Sequence, residues 1–311
     1  MPLHPQAQAL CDVVNAMAEL PPSDERLQEL RDAFGLLVVM GAGEPEAVCA
    51  IEDVDAGGVP ARVYRPSTDS GLPVIVYFHG GGWTIGNVEQ YDPITRQVAN
   101  ATGAIVVSVD YRLAPEHPFP APLDDCWRAL SWTAEHAASF GGDGTRLAVM
   151  GDSAGGNLAA VCALLARDAG APDVAMQVLV YPAVDGGTLD TESYRENARG
   201  YLLTLDDMVW CYACYTAGGS DPADWRISPL RAADLHGVAP AVVVTAEFDP
   251  LRDEGDAYAR RLAESGVPVA HYRYEGMIHA FFGLSAAFDA SRDALQRVGA
   301  DLRRAFGTLS A

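Results

Sequence analysis

The stretch VMGDSAGGNLAAV, residues 149–161, sets Gly151, Ser153 and Gly155 in a Gly-x-Ser-x-Gly pattern between an apolar run and a row of small residues. A serine held on a sharp strand-to-helix turn needs neighbours this small, because a side chain at either glycine would collide with the adjoining strand or helix. Ser153 is thus a candidate nucleophile. Its hydroxyl is weak at neutral pH, so a base must take the proton and a third group must orient that base.

The chain has seven histidines, and on such a turn the base follows both nucleophile and acid in sequence. His236, His271 and His279 come late enough. His271 sits inside an apparent strand and His236 precedes the strand expected to carry the acid, so both read as structural. His279, in EGMIHAFF, falls in the loop beyond the last strand and is the expected base. For the acid, AVVVTAEFDPLRDEG offers Glu247, Asp249, Asp253 and Glu254. Asp253 and Glu254 fall in the next helix's first turn, where acids favour the helix dipole. Asp249 stands at the turn itself beside Pro250, and it is the acid expected to hold the histidine's ring N–H.

Attack on an ester carbonyl generates an oxyanion, which backbone N–H groups stabilise best where no side chain blocks their approach. YFHGGGW, residues 77–83, places three consecutive glycines directly after an apolar run. The N–H groups of Gly81 and Gly82, with that of Ala154 after the nucleophile, are the expected oxyanion hole; His79 reads as a brace for the loop.

These groups need a scaffold. Short β-branched runs occur at 61–66, 74–78, 104–110, 147–151, 176–181, 241–247 and 268–274, with helical spacing at 120–137, 155–168 and 252–264. That alternation predicts an α/β fold with a mostly parallel sheet, which carries its site at the strands' C-terminal edge. Residues 1–45 read as two helices, the first with Leu10, Val13, Val14 and Met17 on one face, and 186–226 is an aromatic-rich excursion. Both are expected to cap the core formed by 46–185 and 227–311.

Composition narrows the chemistry. With 42 acidic against 21 basic residues in 311, the net charge of -21 repels nucleic acid and anionic lipid. All the basic residues are arginines, so Schiff-base chemistry, a P-loop lysine and a Ser-Lys dyad are excluded. No uncharged run reaches the roughly 18–20 residues of a bilayer span, and the N-terminus lacks a signal-peptide pattern, which together predict a cytoplasmic protein without a membrane span. The six cysteines fall mostly in apolar stretches and read as core residues. CYAC, 211–214, has no second Cys/His pair nearby and reads as helix, so no metal is expected. A homo-oligomer is compatible with this composition.

HGGGW, YRLAPEHPFPA, GDSAGG, DPLRDEG and GMIHAF, in this order across residues 79–281, together resemble the hormone-sensitive lipase family of α/β-hydrolases, in its bacterial carboxylesterase branch. The resemblance implies the α/β-hydrolase fold: an eight-stranded, mostly parallel sheet flanked by helices, under a helical cap. It implies hydrolysis of short- to medium-chain acyl esters without a cofactor. Carried over by position, it implies Ser153, Asp249 and His279 as the triad and Gly81, Gly82 and Ala154 as the oxyanion hole.

Leu202, Leu203, Met208 and Trp210 in ENARGYLLTLDDMVW could line an acyl pocket, although such a stripe equally suits core packing. Trp83 and Phe281, beside the oxyanion loop and the base, are further pocket candidates. The same machinery would serve an acyltransferase, an amidase or a carbohydrate deacetylase. A non-catalytic small-molecule receptor on this scaffold should have lost part of the triad, and this sequence retains all of it.

Overall fold

The computed structural model of the chain describes residues 2–16 and 22–308. Its strands are β1 (Ala50–Asp55), β2 (Pro60–Arg65), β3 (Leu72–Phe78), β4 (Ile105–Val109), β5 (Gly142–Asp152), β6 (Val174–Val180), β7 (Ala241–Phe248) and β8 (Val269–Ile278). They form one eight-stranded sheet in the order β1-β2-β4-β3-β5-β6-β7-β8. β1 and β2 pair antiparallel with each other, and β2 with β4, while every pairing from β4 to β8 is parallel.

A parallel sheet is covered on both faces by its crossover helices, so its central strands are apolar throughout. Accordingly, six of the seven residues of β3, LPVIVYF, are buried, as is all of β4, IVVSV. One face packs on α4 (Ala121–His136), α5 (Ala154–Ala169) and α8 (Arg252–Glu264); the other packs on α3 (Asp92–Thr102) and α9 (Asp289–Ala305). Side-chain alternation divides β4 between the two cores: Ile105, Val107 and Val109 enter the first, Val106 the second.

The first two helices are α1 (Pro5–Ala16) and α2 (Leu27–Ala42). Met17, expected on the face of the first, lies outside the described residues. α2 fits closely against the body: a Cβ on Gly35 would stand 2.2 Å from the Gln90 side chain, and one on Gly41 2.3 Å from that of Leu284. The excursion after β6 contains α6 (Glu192–Glu196) and α7 (Leu205–Tyr215). α7 starts in a reciprocal cap, in which Thr204 Oγ1 accepts from Asp207 N and the Asp207 carboxylate accepts from Thr204 N.

β1 escaped the sequence pattern because it is an edge strand with five of its six residues exposed, three of them acidic. It is nonetheless tied in, since Arg62 of β2 pairs with Asp53 at 2.6 Å.

Candidate active site

Three loops at the C-terminal ends of β5, β7 and β8 carry Ser153, Asp249 and His279. Ser153 follows β5 with φ 56° and ψ −119°, a backbone conformation that is costly for a residue with a side chain and survives only where its surroundings fix it. The two glycines show how. A Cβ on Gly151 would lie 2.3 Å from the Gly155 carbonyl, and one on Gly155 would lie 1.9 Å from the Phe78 carbonyl oxygen. The turn is therefore pressed against the end of β3. One turn into α5, Asn157 anchors it from the far side, its Nδ2 donating to the carbonyls of Ala183 and Ile227 at 2.7 Å each.

Asp249 follows β7 and is wholly buried. One carboxylate oxygen accepts from Leu251 N at 2.9 Å, and the other lies 2.7 Å from His279 Nδ1. His279 follows β8, and its Nε2 lies 3.0 Å from Ser153 Oγ. A carboxylate only accepts, so Nδ1 carries the proton and Nε2 is left to accept from the serine hydroxyl. Proton transfer along this chain is what an acyl-transferring serine requires.

The other carboxyls weighed for the acid are engaged elsewhere. Asp253 accepts from Ser193 N at 2.7 Å and pairs with Arg252 at 2.8 Å. Glu247 accepts from Gly276 N, and Glu254, with its pKa pushed well up by burial, accepts from Val184 N at 2.6 Å. Through Ser193, which also donates to the Pro250 carbonyl, α6 secures the loop that carries Asp249. The two set-aside histidines face different carboxylates: His236 meets Asp234, and His271 meets Asp256.

The glycine-rich loop leaves β3 through a turn in which Thr84 N and Ile85 N both donate to the Gly81 carbonyl at 3.0 Å. Gly81 and Gly82 have φ of 109° and 57°, and a Cβ on Gly81 would stand 2.2 Å from the Ile85 carbonyl oxygen. Among the described residues, no acceptor takes the N–H of either glycine. His79 braces this loop as expected: its Nδ1 meets the Gly80 carbonyl at 2.7 Å, its ring stacks on Tyr111 at 4.2 Å, and burial pushes its pKa down.

The pocket expectations fare unevenly. Trp83 is fully buried, stacked on Tyr215 at 4.4 Å, and Phe281 is fully buried between Tyr181 and Tyr274. This corrects the expectation for both: neither presents surface to a cleft, because the backbone turn at Trp83 (φ 59°) and the short 3-10 turn at Phe281 direct these rings into the cores. Leu203, Met208 and Trp210 pack with one core, whereas Leu202, at φ 76°, packs with the other. The four do not form one wall. Trp210 instead donates to Asp24 at 3.3 Å, joining α7 to the chain ahead of α2.

Several residues around the site were given no role in it by the sequence pattern. Tyr181 tilts over the His279 ring at 4.5 Å. Cys211, on α7, sits 2.3 Å from where a Cβ on Gly82 would be, so this helix abuts the glycine turn. Asp152, directly before Ser153, is buried. All six cysteines are free thiols, and among the described residues no cluster of His, Cys, Asp and Glu could hold a metal.

With this geometry in place, likeness to known proteins decides the family. The profile of a family described as alpha/beta hydrolase fold matches residues 75–283. The chain is 45% identical to carboxylesterase NlhH of Mycobacterium tuberculosis over 252 residues, which cover 79% of this chain and 78% of that one. It belongs to the hormone-sensitive lipase-like family of α/β-hydrolases, in the carboxylesterase branch. An arylesterase of Saccharolobus solfataricus is 36% identical across 98% of this chain and all of its own length. Among solved structures, an ester-hydrolase from the metagenome of Lake Arreo is 41% identical with a TM-score of 0.93, covering 98% of this chain and 100% of that one. The esterase of the archaeon Pyrobaculum calidifontis, also 41% identical, matches with a TM-score of 0.92 over 98% of this chain and 99% of its own. Among the described residues of this chain, no helix is long and apolar enough to cross a membrane.

Proposed function

We propose that the chain is a serine carboxylesterase acting on short- to medium-chain acyl esters through an acyl-serine intermediate. The observation that carries this reading is the unbroken line from Ser153 Oγ to His279 Nε2 at 3.0 Å and from His279 Nδ1 to Asp249 at 2.7 Å. Ser153 attacks the ester carbonyl carbon as His279 takes its proton, and Asp249 stabilises the imidazolium that results. The tetrahedral oxyanion is received by the N–H groups of Gly81, Gly82 and Ala154. Collapse expels the alcohol, which leaves with the proton from His279. A water molecule, deprotonated by the same ring, then attacks the acyl-serine and releases the acid.

The glycine conformations support the oxyanion assignment, since positive φ at both turns their amides out of the loop's own hydrogen bonding. Relatives called carboxylesterase and arylesterase support the ester as substrate. The test is hydrolysis of nitrophenyl esters from acetate to dodecanoate by the wild type and Ser153→Ala. Turnover that vanishes in the variant sustains the reading, and its chain-length profile sizes the acyl pocket. A folded wild type that turns over none of the esters overturns it.

A further inference from the structure

Asp152, the residue immediately before the nucleophile, has no part in the proton relay, yet the residue is only 7% exposed. It accepts from Tyr77 Oη at 2.8 Å, from Tyr91 Oη at 3.0 Å and from the backbone N–H of Gly80 at 3.1 Å. Tyr91 Oη also accepts from that same N–H at 3.1 Å. Among the described residues no arginine pairs with it. Burying a carboxylate without a cation is expensive, and hydrogen bonds from fixed donors must offset the cost.

Those donors come from three separate places: the end of β3, the entry to α3 and the first glycine of the oxyanion loop. Gly80 directly precedes Gly81 and Gly82. A Cβ on Gly80 would stand 2.4 Å from Asp152 Oδ2, so the carboxylate and the loop are in close contact. Because a carboxylate only accepts, it holds the Gly80 N–H in one direction and so sets where the next two amides point.

Resting on the esterase reading above, we propose that Asp152 is a positioning residue that fixes the Gly81 and Gly82 amides relative to Ser153 by clasping Gly80 from the nucleophile's own turn. Serine and oxyanion hole thereby move as one unit. Tyr77 and Tyr91 act through Asp152 by keeping its carboxylate turned toward Gly80.

A structural role alone would lower stability without selectively weakening the transition state, and the experiment separates the two. Asp152→Asn and Tyr91→Phe are compared with the wild type for kcat and KM on a nitrophenyl ester and for inhibition by an aryl trifluoromethyl ketone. Addition of Ser153 Oγ to that ketone leaves an alkoxide where the oxyanion would sit, so its affinity reports on the hole. The expected result is a kcat about 10- to 100-fold lower in Asp152→Asn, less than the roughly 10²- to 10³-fold loss of a donor outright. KM stays near the wild-type value, and ketone affinity falls in step with kcat/KM. Tyr91→Phe, which keeps the carboxylate and removes one hydroxyl, shows the same correlated losses at several-fold. Should Asp152→Asn fail to fold, Tyr91→Phe decides alone. Wild-type ketone affinity in a folded variant overturns the proposal. An inactive wild type would instead refute the esterase reading, so the two failures are distinct.

Discussion

Gly155 and Phe78 are in such close contact that the smallest side chain on the glycine would overlap the phenylalanine's carbonyl oxygen, at 1.9 Å. The position of a Cβ is fixed by the backbone and the carbonyl oxygen is itself backbone, so neither can yield by a change of rotamer. Gly155→Ala must therefore push α5 away from the end of β3 and move Ser153 with it. The expected outcome is a melting temperature lower by several degrees, together with loss of most ester hydrolysis in the protein that remains folded. Thermal denaturation and turnover measured on one preparation check this, and a variant with wild-type values for both would show that the turn at Ser153 tolerates the shift.

Asp249, in the loop after β7, and Asp253, in the first turn of α8, are four residues apart and meet different partners, His279 and Ser193. Asp249→Asn keeps the shape but lets the amide favour the wrong imidazole tautomer, a change expected to reduce kcat by about 10⁴-fold while the fold survives. Asp253→Asn disturbs the seat of α6 and the pair with Arg252, so its turnover should stay within about tenfold of the wild type, with a modest loss of stability. Measuring kcat for the pair settles the assignment, because the reverse ranking would make Asp253 the acid.

How far the sequence could be read follows from where each signal resides. β3 and β4 were legible because covering both faces of a parallel sheet forces an uninterrupted apolar run. β1 was not, because an exposed edge strand with three acids among its six residues carries no such run. Ser153, Asp249 and His279 could be picked out because each stands just after a strand, where loop residues reach the sheet's C-terminal edge. Asp152, although it lies in GDSAGG, could not be given its role, because the Gly-x-Ser-x-Gly pattern leaves its position open and its partners Tyr77 and Tyr91 lie 75 and 61 residues away. Adjacency misled for Trp83: it follows the glycines in sequence, but a positive φ turns it into the core.

Burial pushes the Glu254 carboxyl well above its ordinary pKa, although the Val184 and Asp185 N–H groups partly oppose this. A folded-state pKa above the unfolded one means that the native state binds the proton more tightly. The associated stability is complete below the unfolded pKa, near 4.3, and is lost as pH rises through the folded value. Glu254→Gln mimics the neutral acid at every pH. Between pH 5 and 9 the wild type should therefore lose stability relative to this variant as pH increases. Melting temperatures of the two across that range provide the check, and parallel curves would mean that Glu254 stays ionised in the folded protein.

Trp83 offers the sharpest separation between a residue that lines a cleft and one that supports it. Its ring stacks on Tyr215 and tilts against Tyr212, so it holds the glycine turn against α7 from beneath. Trp83→Ala leaves a large cavity, with an expected cost of about 3–5 kcal/mol. Because the turn bearing Gly81 and Gly82 loses its backing, hydrolysis of every nitrophenyl ester should fall by a similar factor, leaving the order of chain-length preference unchanged. A side chain in contact with the acyl group would instead alter that order, favouring longer chains as space opened. Relative rates across the ester series distinguish the outcomes: a shifted optimum at unchanged stability would return Trp83 to the pocket wall.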